Sequence, residues 1–478
     1  MADYGCIRRL AVVSSAKAVR LGLSLAACLL VAPPGSGQSA KLALLPNAPA
    51  PTPGLLAQET QSPPRSSDAE PPRLTLAQAE EMALQDNPRV RVGRLLAMAQ
   101  HQVVREARSA DLPSFDGSIT AVDALNASRL ADAPLTSSHL FPHAGAGGSF
   151  SQLITDFGRT HNLVLTQKLE AEASNANALA TREEIVLAAD KAFYDALTAQ
   201  ALLQVASQTV NTRQTIETKV RSLTQNKLKS TLDLAFADVL LSQSKLLQLD
   251  AQNNADAAMA SLDAVLGLDH EKTYRLVDNS DSVAGPPIAF DPLIQKALAQ
   301  RPDLQSVTLQ AKSAQRLARA QWDQLLPSIM ADGTAGAVPV RSDTYYTSNW
   351  WGAVGVNMNI PLFNGFLYSS QAKEAAFRAK ADAEHARDLR DQTVREVRTA
   401  WLQANTAYQR LGVTAQLLAE AKLSFQLAQA RYRLGLSSIV ELSQAQLQQT
   451  SAEIDNTNSR YQYGVALATL KYEEGTNP

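Results

Sequence analysis

Between Arg159 and Leu266 the chain contains neither a glycine nor a proline, and most positions are Ala, Leu, Gln, Ser, Lys or Glu. Such residues lose little freedom in a helix, whereas Gly and Pro are the ones that end it. The stretch predicts helix over a length that a globular core does not use. A second stretch, Phe366 to Glu474, also lacks proline and holds only Gly412, Gly435 and Gly464. At ~1.5 Å per residue, half of either stretch reaches on the order of 80 Å, so the chain is expected to fold around rods.

The two rods belong to two copies of one unit. Ala83-Leu-Gln-Asp-Asn-Pro88 lies 214 positions before Ala297-Leu-Ala-Gln-Arg-Pro302, and Pro113 stands to Pro327 in the same way. Beyond the segments that follow these prolines the offset becomes 208, and it relates Asp156 to Asn364, Phe193 to Trp401, Ser230 to Ser438 and Gly267 to Gly475. Repeated anchors at constant offsets point to internal duplication. Along the second rod Val394, Val397, Trp401, Ala404, Tyr408, Leu411, Ala415 and Leu418 keep alternating three- and four-residue steps, the spacing of a coiled-coil seam. Val186, Ala189, Phe193, Ala196, Gln200 and Leu203 keep the same phase in the first.

Between Pro327 and Asn364 the period falls to two. Trp350, Gly352, Val354, Val356, Met358 and Ile360 are mainly apolar, and the residues between them are small or polar. One face suits lipid and the other a wet lumen. With Ser328–Val340 as partner strand, and Ser114–Leu125 and Ala144–Ile154 as the matching pair in the first half, each chain offers four strands of membrane-spanning length. Tyr345, Tyr346, Trp350, Trp351, Phe363 and Phe366 gather near the strand ends, as interfacial aromatics do. Membrane barrels need about eight strands or more, so the barrel is expected to be shared between chains.

The start of the chain reads as an export signal over residues 1–32: Arg8, Arg9, Lys17 and Arg20 precede an apolar run, Leu21 to Ala32, too short to span a bilayer. Both cysteines, Cys6 and Cys28, fall inside it, so the exported part is expected to hold without disulfides. Leu25-Ala-Ala-Cys28 resembles a lipobox, which makes Cys28 a lipidation candidate, whereas Gly35-Ser-Gly37 offers an ordinary cleavage site beyond it. Residues 33–72 hold 10 of the 22 prolines and read as a flexible linker. The remaining divisions are a first repeat at 73–270, an inter-repeat linker at 271–290, a second repeat at 291–475 and a tail at 476–478.

Other functions find little support. With 44 Lys+Arg against 46 Asp+Glu and no basic stripe, no nucleic acid partner is expected. The six histidines are scattered, neither His-Glu-x-x-His nor Gly-x-Ser-x-Gly occurs, and no nucleotide-binding loop is present, so neither an enzyme nor a cofactor is expected. A periplasmic coiled-coil adaptor or scaffold without its own pore is the alternative, and it gives no reason for the paired amphipathic strands.

A hairpin of strands, a long helical hairpin, and the whole unit again is a plan that resembles the TolC-like outer-membrane efflux proteins from about Leu74 to Gly475. The resemblance is carried by Leu74-Thr-Leu-Ala-Gln-Ala-Glu, by Asn87-Pro88 and Arg301-Pro302, by Pro361-Leu-Phe-Asn-Gly365, and most specifically by Ala430-Arg-Tyr-Arg-Leu-Gly-Leu-Ser-Ser-Ile-Val-Glu-Leu442. It implies a mainly α fold with β. Antiparallel coiled-coil hairpins would form a periplasmic α-barrel, above which each chain would give four strands to a shared transmembrane β-barrel in the outer membrane of a Gram-negative-type bacterium. The chain would act as a homotrimer and passive conduit, joined by a periplasmic adaptor, or membrane-fusion, protein to an inner-membrane pump of RND or ABC type.

The same resemblance implies a gate at the periplasmic tips. Asp233 and Tyr432 match a pair that links neighbouring helices, and Glu441 matches a carboxylate ring in the pore. Gln444 stands where a second carboxylate would be, and Ser437 where a basic residue can be. Leu434, Gly435, Leu436 and Ser437 are the candidate adaptor contacts, with Gly435 suited to the chain reversal. The first tip, Asn226-Lys-Leu-Lys-Ser230, lacks that glycine. Equal adaptor contacts at the two tips are therefore in question.

Overall fold

The structure is a computed structural model and describes residues 72–122, 143–268, 274–278, 285–337 and 350–475. The segments expected as export signal (with Cys28), as the exposed stretch at 341–349 and as tail at 476–478, and most of that expected as linker, lie outside the described residues. In chain order the first half comprises β1 (Arg73–Leu74), α1 (Leu76–Asp86), α2 (Pro88–Ser109), β2 (Ser114–Val122), β3 (His143–Thr155), α3 (Arg159–Gln225) and α4 (Thr231–Leu266). The second comprises β4 (Arg275–Leu276), α5 (Asp291–Gln300), α6 (Pro302–Asp323), β5 (Ser328–Ala337), β6 (Trp350–Asn359), α7 (Leu367–Arg433) and α8 (Ile439–Glu473). Helices α3 and α7 are each 67 residues long, which at 1.5 Å per residue is about 100 Å.

Each half starts with two helices broken at a proline. The ring of Pro88 or Pro302 bars helical backbone at the residue before it, and Asn87 (ψ 124) and Arg301 (ψ 120) are accordingly extended. The two breaks are held by different chemistry. Asn87 accepts from the Arg89 amide and donates to the Val265 carbonyl, both at 2.9 Å. Arg301 is buried and ion-paired to Asp303, to Glu396 of α7 at 3.0 Å and to Glu473 of α8. In both halves a glycine with positive φ, Gly267 or Gly475, packs against the break. A Cβ on Gly267 would meet the Asp86 carbonyl at 2.8 Å, so only glycine fits there.

Strands β2, β3, β5 and β6 form one antiparallel sheet in the order β2-β3-β5-β6, while the two-residue β1 and β4 pair separately in parallel. Its register sorts the side chains. Phe115, Phe150, Gly333 and Val354 form one row across the sheet, and Ile119, Ala146, Ala337 and Trp350 a parallel row on the same apolar face. On the other face Ser151 donates to Asp332 at 2.9 Å and Asn357 donates to its second oxygen at 2.7 Å. Val354, Val356 and Met358 are exposed in the single chain, as a lipid-facing surface requires. Trp350 and Trp351 mark one end of the strands, and Phe157, Phe363 and Phe366 the other, all largely exposed.

From sheet to rod the backbone turns through two successive residues with positive φ. In the first half these are Phe157 (56°) and Gly158 (110°), and in the second Gly365 (62°) and Phe366 (65°). The backbone is repeated and the order of glycine and phenylalanine is reversed.

The buried positions are mainly small residues on α7 and a mixture of small and large ones on α3. Val186, Ala189, Phe193 and Ala196 are buried along α3 as their spacing implies. On α7 the seam runs through Thr393, Val397, Ala400, Ala404, Thr414, Ala421 and Ala428. Val397 and Ala404 lie in it as expected, but at three of the eight anticipated positions, Val394, Trp401 and Ala415, the preceding residue, Thr393, Ala400 or Thr414, is the buried one. Trp401 flanks the seam and donates its indole N–H to the Pro287 carbonyl at 2.8 Å, while Tyr408 stacks on Tyr463. Closely approaching backbones favour Ala or Thr in the groove and leave the large aromatics to pack at its edges. Helix α6 lies against α3 in the same manner: Ser306 donates to the Ala173 carbonyl at 2.9 Å and Ser313 to the Thr166 carbonyl at 3.2 Å.

One carboxylate in this packing bears a measurable charge cost. Asp190 of α3 is buried beside Glu80 of α1, and one of its oxygens has no hydrogen-bond partner among the described residues. Burial first, and Glu80 second, push its carboxyl up to about 8. A carboxyl that holds its proton more tightly when folded than when unfolded contributes stability at low pH. That contribution is lost as pH climbs from the ordinary carboxylate range near 4 through about 8. Asp190→Asn is therefore expected to flatten the fall in thermal midpoint between pH 5 and 9, by an amount equivalent to a few kcal/mol at the upper end. Circular-dichroism melts of both proteins across that range check it, and parallel profiles would refute it.

Candidate functional site at the hairpin tips

Both helical hairpins reverse by the same hydrogen-bonded device. At the first tip the Leu228 amide reaches back to the Leu223 carbonyl at 2.8 Å and the Lys227 amide to Thr224 at 2.9 Å. At the second the Leu436 amide reaches Arg431 at 2.9 Å and the Gly435 amide reaches Tyr432 at 3.1 Å. This pair of bonds satisfies the orphan carbonyls of the helix end and needs a left-handed residue inside it. Gly435 supplies it with φ 76° and Lys227 with φ 60°. The missing glycine of the first tip therefore changes strain and leaves the turn intact. Ser230 then caps α4 in a capping box with Asp233, and Ser438 caps α8 by accepting from the Glu441 amide at 3.3 Å.

Asp233 and Tyr432 are brought to one place without being bonded to each other. The Asp233 carboxylate accepts the Ser230 amide at 3.4 Å. Tyr432 is buried, its hydroxyl has no hydrogen-bond partner among the described residues, and Lys229 lies over its ring at 4.5 Å. Burial and then the nearby Asp233 charge raise the phenol above its ordinary value. Val220, Ala237, Phe425, Ile439 and Leu442 surround it, so the tips of the two hairpins share one small apolar core.

Glu441 and Gln444 lie one turn apart on α8, both exposed, in an open groove of about 900 Å³ between α7 and α8. Arg431 lines the same groove and its Nε meets the Glu441 carboxylate at 3.2 Å. The expected carboxylate thus carries its own counter-ion within the chain. At the apex Leu434 and Leu436 are 74% and 67% exposed, Gly435 is exposed, and Ser437 is half-buried with a hydroxyl that has no hydrogen-bond partner among the described residues. The first tip presents Leu228, 69% exposed, at the position equivalent to Leu436. Sequence reasoning passed over Lys227, Leu228 and Lys229, although the 208-residue offset that aligns Ser230 with Ser438 also aligns Leu228 with Leu436.

Strands apolar on one face, joined in register to two rod-like helical hairpins, define a membrane channel with a helical extension. The family model described as outer membrane efflux protein matches residues 80–268 and 293–472, and the chain belongs to that family. Among curated relatives, the outer membrane protein TolC of Salmonella enteritidis is 24% identical over 427 residues, covering 84% of this chain and 83% of that protein. Among solved structures, CusC aligns with TM-score 0.75 at 18% identity, over 84% of this chain and 92% of that one. The outer membrane channel CmeC of Campylobacter jejuni aligns with TM-score 0.74 at 17% identity, over 84% and 85%. The protein is an outer-membrane channel protein with an extension into the periplasm.

Because Lys227 holds a left-handed conformation that costs a residue with a Cβ about 1 kcal/mol, Lys227→Gly is expected to stabilise the first tip by roughly that amount. Hydrogen exchange at the Leu228 amide is the readout, slower in the variant. Exchange that is unchanged or faster would show that the lysine is unstrained.

Proposed function

We propose that three copies of this chain close a twelve-stranded barrel and a continuous helical tunnel, forming a passive conduit. It receives cargo from a periplasmic adaptor coupled to an inner-membrane pump of the RND or ABC type. The observation that carries the reading is the pair of free sheet edges. In the described sheet β2 and β6 each pair on one side only, and backbone groups in lipid need partners. Joining β6 of one copy to β2 of the next satisfies both edges, and rotational symmetry repeats the joint until the ring closes.

The helices support the same closure. Leu232, Val239, Leu246 and Leu249 make an exposed apolar stripe along α4, and Val413, Leu417 and Leu427 another along α7, uncovered by any of the described residues. Stripes of that length on a single chain mark interfaces. In this reading the exposed leucines of the tips, Leu228, Leu434 and Leu436, meet the adaptor together with Gly435 and Ser437. Asp233 and Tyr432 join the two hairpins at the constriction, and Glu441 forms a ring of three carboxylates that draws cations, with Gln444 one turn above it. Arg431 beside Glu441 holds part of that field in check.

Single-channel conductance in planar bilayers tests the conduit, with native mass spectrometry for the copy number. A trimeric pore preferring cations is expected. Glu441→Gln should lower that preference several-fold and Arg431→Gln should raise it. A monomer without conductance would refute the conduit, and a pore whose selectivity ignores both substitutions would refute the ring.

A further inference from the structure

Arg213 of α3 lies about four turns from the tip and is only 7% exposed. It makes no ion pair or hydrogen bond among the described residues. Two other buried charges are matched: Arg301 has three carboxylates, and Glu217, one turn from Arg213, is held by Arg221 and Gln214, whereas the buried Asp190 is relieved by holding its proton. Burial, with no charged neighbour contributing, lowers the Arg213 guanidinium to about 10, so it remains a cation at neutral pH. A buried cation without an anion is costly, and proteins rarely leave one uncompensated.

Arg213 lines a cavity of about 300 Å³ where α3, α4 and α8 meet, with Phe236, Leu240, Leu247, Val440 and Leu447 as its apolar wall. The mouth is accessible: Phe236, Val440 and Leu447 are all exposed. Thr209, Gln243, Ser443 and Gln444 also line it, and a partly open cavity of this size with apolar walls and a few convergent polar groups is a usual form of small-molecule site. We propose that the cavity binds amphipathic organic anions, an apolar body lying against Phe236, Leu247 and Leu447 and a carboxylate or sulfonate on the Arg213 guanidinium. The fork of donors on arginine suits such a planar or trigonal oxyanion. Gln444 lines both this cavity and the groove that holds Glu441, so an occupant would sit beside the candidate gate. The assignment does not depend on the conduit reading.

Equilibrium dialysis of the purified full-length protein against naphthalene-2-sulfonate, with the neutral naphthalene-2-sulfonamide as matched probe and detergent alone as blank, tests it. One sulfonate per chain is expected, bound at least tenfold more tightly than the sulfonamide. Arg213→Gln should abolish the difference without changing sulfonamide binding, and Arg213→Lys should keep part of it. Should Arg213→Gln not fold, Leu447→Trp narrows the cavity from its exposed wall and should remove sulfonate binding with the arginine in place. The proposal is overturned if the wild-type protein does not discriminate between the probes, the result expected where a carboxylate of a second copy already occupies Arg213. It is equally overturned if whichever of Arg213→Gln and Leu447→Trp folds retains wild-type sulfonate binding.

Discussion

The unpaired backbone groups along β2 and β6 are the constraint from which the rest of the architecture follows. Water would satisfy them at the surface of a soluble sheet, but the face that carries Phe115, Phe150, Val354 and Met358 is built for lipid, where an open edge has no partner. Four strands are too few to close a membrane barrel alone, the difficulty that the proposed assembly of copies resolves. Helices α3 and α7, which lead out of that sheet, start from the same two-residue turn and run to the same length because they are copies at the 208-residue offset.

Duplication has preserved backbone geometry more strictly than side chains. The turn out of the sheet uses Phe157-Gly158 in one half and Gly365-Phe366 in the other, and the tips use Lys227 and Gly435. The proline breaks are held by a neutral asparagine in one half and by an arginine with three carboxylates in the other. In each pair the hydrogen-bonding problem is the same and the chemistry differs. That freedom lets the two hairpins keep one shape while offering different surfaces, a lysine-rich apex on the first and an apolar one on the second.

Much of this was legible in the sequence because its signals are periodic or are breaks in a period. The absence of Gly and Pro gives the rods, the alternation after Pro327 gives the strands, and the constant offsets give the duplication. Errors arose where size and position compete. Trp401 and Tyr408 keep heptad spacing, yet the groove selects for small volume and the aromatics moved to its edge. The equivalence of Leu228 and Leu436 was obscured because the missing glycine put equal contacts at the two tips in question, whereas Lys227 adopts the left-handed conformation itself. Arg213 left no trace in the sequence: a single arginine on a helix reads as a solvated side chain, and only its burial in three dimensions distinguishes it.

Seams of alanine are featureless, and this determines where the polar residues must go. Two rods in contact through Ala and Thr every seven residues would pack nearly as well after a slip of one heptad, since each small residue would meet another. Polar pairs remove that degeneracy. Ser306 and Ser313, seven apart, reach the carbonyls of Ala173 and Thr166, also seven apart and running the other way, and Asn162 donates to the buried Asp323 at 2.8 Å just beyond them. A one-heptad slip would keep one of the serine bonds but would take the Asn162 donor from the buried Asp323, leaving it only Arg319 of its own helix at 3.6 Å, and a buried carboxylate that loses a donor costs more than a lost serine bond. On the second hairpin Thr414 and Ser459 share a hydrogen bond of 2.7 Å in the same role. The buried polar groups of the rods thus set register, the small apolar ones set distance, and together they fix the height at which each tip residue meets its counterpart.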